Sequence, residues 1–524
     1  MGVPVFAACL TDQGIKDLQE QCSSNLKVLK LNVTDDEDIE NAVKFVEKNL
    51  GPGENLWSVI NNAGIITTLA PTEWYQKSDY EKTLSVNLLG SIMVATKFLP
   101  LLRKSRGRII NMGSIVSLIP MPNLAAYTVS KAGLDAFSDV LRRDMYSFGV
   151  SVHTILPTGF RTNICPNSVL DHTKDTYNTI LSSEQKEFYK STFEDLMKAY
   201  KLREILLDSD ISKVTNKMTH ALFSKFPKTK YWVGPGAVAV FWPLSLMPYW
   251  ISDFIFRGGP SFSTFAVVLL VCFAKLLEHY VRSFWVEDIK SKHVLITGCD
   301  CGFGNHMARK LDKMGVSVFA SCLTDQGMKD LQEQCSSNLK VLKLNVTNDE
   351  DIENAVKFVE KNIGPGESLW SIVNNAGLMT TIAPVEWHLK SDYEKTLRVN
   401  LLGSIMVTTK FLPLLRKSRG RVINMASIVC MIPMPNLAAY TVSKAGLDAF
   451  SDVLRRDMYS FGVSVHTIHP TGFRTNICPE SVLEHTKEIY NTNLSYEQKT
   501  FYKSTLDDRK CSVPSRYYSF FLSG

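Results

Sequence analysis

Two near-identical stretches constrain this chain more than any local propensity: VFAACLTDQGIKDLQEQCSSNLKVLKLNVT at Val5–Thr34 returns as VFASCLTDQGMKDLQEQCSSNLKVLKLNVT at Val318–Thr347. The offset of 313 residues also carries NNAG from Asn61–Gly64 to Asn374–Gly377, and AAYTVSKAGLDAFSDVLRRDMYSFGVSVHT from Ala125–Thr154 to Ala438–Thr467, without insertion. Solenoids repeat every roughly 20 to 50 residues. A period this long implies two whole globular domains in tandem.

Within a copy, short β-branched runs (Lys340–Val346, Ser368–Asn374, Gly420–Met425, Val463–Ile468) alternate with helix-period stretches such as Asp349–Asn362 and Ser443–Tyr459. That alternation predicts βαβ units and a parallel sheet. The runs KVLKLNV and RVINMAS are mostly apolar, as strands covered on both faces require. The expected fold class is α/β: a doubly wound, Rossmann-like parallel sheet in two tandem copies.

The copies differ in completeness. Lys292–Met314, KHVLITGCDCGFGNHMARKLDKM, reads as strand, glycine turn and helix ahead of the second copy, whereas the first copy begins at Met1, the position matching Met314. The first copy continues through Thr192–Phe256; the second stops matching near Leu506 and ends in DRKCSVPSRYYSFFLSG. The expected division is a first copy over 1–236 lacking its glycine-loop strand, an apolar linker or anchor over 237–290, a second copy with the glycine loop over 291–510, and a divergent tail over 511–524. Deleting a central strand costs about 1–3 kcal/mol for each backbone group left buried and unpaired. The first copy is therefore not expected to fold or bind a nucleotide alone.

Composition narrows the function classes. With 45% hydrophobic residues and 58 Lys+Arg against 52 Asp+Glu, the chain has ample material for packed cores and lies outside the range of disorder. A net charge of +6 without basic blocks or zinc-finger spacing argues against nucleic acid as a partner. Eleven cysteines, an odd number, argue against a disulfide framework and for a reduced, cytosol-facing environment.

Thr297-Gly298-Cys299-Asp300-Cys301-Gly302-Phe303-Gly304 follows the apolar run HVLI and opens a helical pattern, the context that turns a glycine spacing into a dinucleotide site. Glycines let the backbone approach a pyrophosphate, and a helix N-terminus offers free N–H groups and partial positive charge. Gly298, Cys299, Asp300, Gly302, Phe303 and Gly304 are thus cofactor-binding candidates. About 20 residues on, where such sites read the ribose, stands Leu323-Thr324-Asp325, with no Arg or Lys between Val316 and Gly327. A 2′-phosphate would want a cation, so NAD is expected over NADP, with Asp325 either a ribose contact or a helix N-cap. Cys299 and Cys301 have no second Cys/His pair at zinc spacing, and no metal is expected.

Tyr440 and Lys444 stand four apart in the helical AAYTVSKAGLDAF, so their side chains share a face. The strand GRVINMAS ends at Ser427, which brings a hydroxyl near the phenol at the C-terminal sheet edge, where open α/β sheets bind ligands. TGCDCGFG, NNAG, the Ser427, Tyr440 and Lys444 set and Pro470-Thr471-Gly472 together resemble the short-chain dehydrogenase/reductase family. Within it, ITGCDCGFGN, FLPLLRKSRGRVIN and SKAGLDAFSDVLRRDM resemble the membrane-bound retinol and hydroxysteroid dehydrogenase branch.

The resemblance implies that Tyr440 takes the alcohol proton as hydride leaves for the nicotinamide, and that Lys444 favours the phenolate and holds the nicotinamide ribose. It implies that Ser427 hydrogen-bonds the substrate oxygen and that Asn400, in RVNLLGS, orients a water in the proton relay. It also implies Asn345, Asn374, Ala376, Gly377, Pro470 and Thr475, with Tyr440 and Lys444, as cofactor contacts. The chemistry fits the residue types: a free tyrosine, pKa about 10, is a poor base at neutral pH until positive charge stabilises its phenolate. The first copy repeats Asn87, Ser114, Tyr127 and Lys131 without a phosphate loop, so one dinucleotide site per chain is expected, in the second copy.

Between the copies, AVAVFWPLSLMPYWISDFIF at Ala237–Phe256 is broken by Pro243 and Pro248. FSTFAVVLLVCFA at Phe262–Ala274 runs into Lys275, short of the roughly 20 residues of a bilayer span. The branch resemblance implies membrane contact, peripheral or through a single anchor, at the endoplasmic reticulum. An apolar lobe beside the catalytic edge suits a lipophilic alcohol, a retinoid or steroid. The second copy lacks that lobe in sequence, so Thr192–Phe256 is expected either to pack across onto it or to leave its pocket open. The resemblance further implies a homodimer formed through the long helices carrying Asn400 and Tyr440. The expected function is NAD-dependent oxidoreduction of such an alcohol. The sequence leaves open a catalytically impaired nucleotide- or lipid-binding scaffold, or two neighbouring dehydrogenases fused into one chain.

Overall fold

The computed structural model describes residues 3–22, 25–245, 289–364, 366–473, 475–496, 498–500 and 502. The first copy contributes β1 (Val5–Cys9), β2 (Leu26–Lys30), β3 (Ser58–Asn61), β4 (Arg108–Met112), β5 (Ser151–Pro157) and β6 (Lys230–Val233). The second contributes β7 (His293–Ile296), β8 (Ser317–Cys322), β9 (Leu339–Lys343), β10 (Leu369–Asn374), β11 (Arg421–Met425) and β12 (Ser464–Ile468). All strand pairs are parallel. In the second copy they form one six-stranded sheet ordered β12-β11-β10-β7-β8-β9. All four residues of β7 are buried, as the apolar HVLI requires of a central strand with helices on both faces. The strand order reverses between β7 and β10, and an α/β sheet opens its ligand crevice at such a reversal.

The first copy has the same strands except at the centre. β1 pairs only with β2, β3-β4-β5-β6 form a separate sheet, and among the described residues no strand joins β1 to β3. The consequence is visible in side-chain exposure. Val5 and Ile60 are 47% and 38% exposed, whereas their equivalents Val318 and Val373, which flank β7, are each 1% exposed.

The C-terminal lobe packs mainly on its own copy. β6 adds to β5 in register, and the Ser212–Phe223 helix buries Val214 and Ala221 with Ile110, Ile155 and Tyr231. Of the two expected alternatives, the described part of Thr192–Phe256 does not follow the packing across onto the second copy: its strand β6 extends the edge of β5 in its own copy. Phe262–Ala274 and the tail at 511–524 lie outside the described residues, as does most of Ala237–Phe256. Among the described residues, one helical stretch, Lys77–Ser105, is long and apolar enough to cross a membrane, and it is mostly buried within the first copy.

The copies pack on each other through their longest interior helices, Ala125–Asp144 and Ala438–Asp457. Glycines let the two backbones approach: a Cβ on Gly133 would lie 3.3 Å from Val442 Cγ1, and one on Gly446 3.3 Å from Val129 Cγ1. The contact is isologous, each residue of one copy meeting the equivalent partner of the other. Asp144 accepts from Val385 N at 2.9 Å and Asn436 N at 3.3 Å; its counterpart Asp457 accepts from Thr72 N at 2.7 Å. Arg103 pairs with buried Glu386, and Arg416 with buried Glu73. Each glutamate also accepts from a tyrosine of its own copy, Tyr502 at 2.9 Å and Tyr189 at 2.7 Å. Lys77–Asp349 and Lys390–Asp36 close the rim at 2.8 and 2.9 Å. The expected homodimer through these helices is thereby corrected: the other half of the same chain already covers that face.

Burial pushes the Asp144 carboxyl up to about 7 and that of Asp457 up to about 6, with the backbone N–H donors opposing. Both stand above the ordinary 3.8, so as pH rises the unfolded chain releases these protons before the folded one does. Stability from this pair is full below about pH 4 and is lost as pH climbs through about 7. The unfolding free energy from urea titration should therefore fall between about pH 5 and about pH 8, by an amount on the order of a few kcal/mol. The double variant Asp144→Asn, Asp457→Asn should flatten that slope; an unchanged slope contradicts the assignment.

Candidate active site

The loop from β7 to the Gly302–Lys313 helix forms one wall of a cavity of about 990 Å³ at the sheet's reversal point. Gly298 and Gly302 hold φ of +68° and +63°, the left-handed region that glycine tolerates best. A Cβ on Gly304 would lie 2.4 Å from Gly298 O and 2.5 Å from Asn375 Nδ2, so the helix seats on the strand only with hydrogen there. Cys301 is the N-cap and makes no side-chain capping bond. The first-turn N–H groups thus face a cavity lined by Cys301, Gly302 and Phe303, a setting suited to a phosphate.

Asp300 braces this loop. Its carboxylate accepts from Leu323 N and Thr324 N, both at 2.9 Å, and from Thr324 Oγ1 at 2.6 Å. Two residues that sequence reading missed complete the brace. Thr297 Oγ1 accepts from Asn375 N and Ala376 N, each at 3.0 Å, while Asn375 Nδ2 donates to Thr297 O and Gly298 O, each at 2.9 Å. The second asparagine of NNAG and the threonine before Gly298 were the available signals.

Besides Gly304, which seats the helix on the loop and does not line the cavity, three expected cofactor contacts sit elsewhere. Cys299 turns its thiol into the core toward Ile296 O, and burial raises its pKa well above the usual thiol value. Asn374 is buried between Thr408 and Asn424, at 2.7 and 2.8 Å, where it ties helix and neighbouring strand to β10. Asp325 opens the Asp325–Gln334 helix and pairs with Lys343 at 2.8 Å, away from the cavity; Thr324 is the N-cap, accepting from Gly327 N. Leu323 takes the place at the wall instead. Gly298, Asp300, Asn345, Ala376, Gly377, Pro470 and Thr475 all line the cavity, with Gly302 and Phe303.

Ser427, Tyr440 and Lys444 line the same cavity. Ser427 stands two residues past β11 and caps the short Ile428–Cys430 turn, its hydroxyl bonded to the Tyr440 phenol. Burial pushes that phenol up to about 12, against the lowering by Ser427. Burial also pulls the Lys444 ammonium down to about 8; its Nζ donates to Met425 O at 2.7 Å and stands 5.7 Å from the Tyr440 ring centroid. A Cβ on Gly377 would lie 3.4 Å from Asn400 Oδ1 and 3.5 Å from Lys444 Nζ, so all four groups converge. Asn400, in the π-helical turn Arg398–Gly403, engages its amide with Leu378 N and O and with Ser443 Oγ. Its side chain thus holds the NNAG loop to the Tyr440 helix.

The first copy repeats this arrangement. Ser114 bonds the Tyr127 phenol, which burial pushes up to about 12; Lys131, pulled down to about 8, donates to Met112 O at 2.6 Å. Asn87 brackets Ile65 as Asn400 brackets Leu378. Among the described residues no glycine loop faces this set.

A parallel sheet with a glycine-bounded helix N-terminus and a Ser, Tyr and Lys set at one edge defines a nucleotide-dependent oxidoreductase architecture. The chain matches the family described as short chain dehydrogenase over residues 2–172 and 292–485, and it belongs to that family. It is 44% identical over 211 residues to retinol dehydrogenase 7 of Rattus norvegicus, covering 40% of this chain and 66% of the relative. It is 38% identical over 253 residues to 17-beta-hydroxysteroid dehydrogenase type 6 of Mus musculus, covering 48% and 79%. The 3-ketoacyl-(acyl-carrier-protein) reductase of Brucella melitensis, complexed with NADH, aligns at 22% identity and TM-score 0.34 over 38% of this chain and 81% of its own.

Proposed function

We propose that the second copy is an NAD-dependent dehydrogenase of a lipophilic alcohol, a retinol or hydroxysteroid, and that the first copy is its non-catalytic partner. One observation carries this: the glycine loop and the Ser427, Tyr440 and Lys444 set share a single cavity. The residues fit a dinucleotide. The uncapped N-terminus after Cys301 would hold the pyrophosphate, Asn345 and Leu323 would border the adenosine end, and Lys444 would hold the nicotinamide ribose. Lys444 and Lys487 are the only cations among the described lining residues, and neither adjoins Leu323 in the chain, which favours NAD over NADP.

A nicotinamide dinucleotide bound there supplies the hydride acceptor. Ser427 holds the substrate oxygen beside the phenol, and Tyr440 takes the hydroxyl proton. With burial raising the phenol, positive charge nearby is what makes it a competent base at neutral pH. Lys444 provides part of that charge, and Asn400 keeps the loop and helix in register. Met379, Ile382, Met434, Ile477 and Leu483 give the outer cavity an apolar wall suited to a retinoid or steroid.

Among the described residues the first copy's proton-transfer groups face no glycine loop, which favours a supporting role for that half. The division into 1–236, 237–290, 291–510 and 511–524 belongs to this reading, as does attachment to the endoplasmic reticulum membrane. The test is NADH absorbance on adding all-trans-retinol or a 3α-hydroxysteroid to the full chain with NAD. NADH formation supports the proposal; its absence in folded, nucleotide-binding protein overturns it.

A further inference from the structure

Comparing the copies position by position singles out a cluster behind the catalytic residues that is present in only one of them. Cys430 Sγ, an Asp448 carboxylate oxygen and a His469 ring nitrogen all lie within 4.8 Å of one another, each residue partly buried. The equivalent positions in the first copy are Ser117, Asp135 and Leu156. The backbone setting is the same: Ser117 Oγ donates to Ser114 O and Cys430 Sγ to Ser427 O, each at 2.7 Å. Two soft or borderline donors therefore stand beside the shared aspartate in one copy and neither in the other.

The aspartates have different partners. In the first copy Lys230 of β6 reaches Asp135 at 2.6 Å, tying the Tyr127 helix to the sheet edge. Among the described residues the second copy has no strand beside the outer edge of β12, and Asp448 instead meets His469 Nε2 at 2.9 Å.

We propose that Cys430, Asp448 and His469 bind a divalent zinc ion. Thiolate, imidazole and carboxylate are the zinc donor set, and three protein ligands leave a fourth position for water. Binding forms a Zn–S bond as the Cys430 thiol gives its proton to solvent; His469 coordinates as neutral imidazole and no electron is transferred. The ion would join the turn after Ser427, the helix one turn beyond Lys444 and the loop entering Pro470. Each of these segments lines the cavity. It would thus do for the second copy what Lys230 and β6 do for the first. Local sequence spacing does not reveal it, because the ligands come from three separate elements.

The experiment titrates full-length, chelator-stripped protein with cobalt(II), then displaces the cobalt with zinc. The expected result is a thiolate-to-cobalt charge-transfer band saturating at one ion per chain and lost on zinc addition. Cys430→Ser should abolish the band, and His469→Leu, which removes a ligand, should weaken binding by more than the about tenfold to 100-fold lost when a residue supporting a ligand is replaced. Both variants approximate or restore the first copy's residues in a backbone that already holds them, and circular dichroism checks their folding. A thermal midpoint that rises with zinc in the unsubstituted chain but not in Cys430→Ser supports the same assignment. No charge-transfer band in folded protein, or a band that survives Cys430→Ser, overturns it and leaves a His–Asp pair beside a thiol.

Discussion

Tyr440→Phe should lower the turnover number by about three orders of magnitude with NADH binding intact, while Tyr127→Phe leaves turnover within about twofold of the unsubstituted chain. The two tyrosines have the same local setting. Each is bonded by a serine at a strand end, raised to about 12 by burial, and one helical turn from a lysine lowered to about 8. What differs is the opposite wall. Tyr440 shares a cavity with Gly298, Gly302 and Phe303, whereas among the described residues no strand and glycine loop lie between β3 and β1 of the first copy. Removing one hydroxyl changes the proton transfer and leaves the ring's packing in place. Steady-state rates with all-trans-retinol and NADH fluorescence titration separate the two effects. Equal losses from both substitutions would contradict the division of labour between the copies.

Gly304→Val should abolish nucleotide binding. Even the first atom of a side chain at this position lies 2.4 Å from the Gly298 carbonyl and 2.5 Å from Asn375 Nδ2. The helix must then back away from β7, carrying the Cys301–Phe303 N–H groups off the phosphate position. Asn375 would lose its bonds to Thr297 and Gly298, which also fix Gly298 against Ala376. The expected readout is loss of NADH binding by more than about 100-fold, roughly 2.7 kcal/mol. The remaining strands should keep the circular dichroism of a folded protein. Undiminished NADH uptake by this variant would show that the nucleotide binds elsewhere.

Much of this fold was legible in the residues. Asp349–Asn362 is a helix at the expected bounds because Asn348 caps it, accepting from Glu350 N and Asp351 N, and acids fill its first turn. The β10 and β11 runs stand out because interior parallel strands are mostly apolar. The Tyr440 helix starts at Ala438, where the helical AAYTVSKAGLDAF pattern begins, although Leu437 at its N-cap makes no side-chain capping bond. At the site, Ser427, Tyr440 and Lys444 were readable from spacing. The exchange of Asn374 for Asn375 at the cavity was not: adjacent strand residues point to opposite faces, and the motif alone does not say which asparagine faces the crevice. Nor does a helix's apolar face announce what will cover it. Val129 and Val442 read as core in either copy, and only the assembled chain shows each against a glycine of the other.

That mutual contact has a consequence for how the two halves evolve and behave. Subunits of an ordinary symmetric pair are encoded once, so every change falls on both; here each side mutates separately. A half that only braces its neighbour is free to shed its own chemistry. Because one polypeptide links the halves, their local concentration stays in the millimolar range set by a tether. Their association is therefore indifferent to dilution, and a degenerate half can never be exchanged for a competent one.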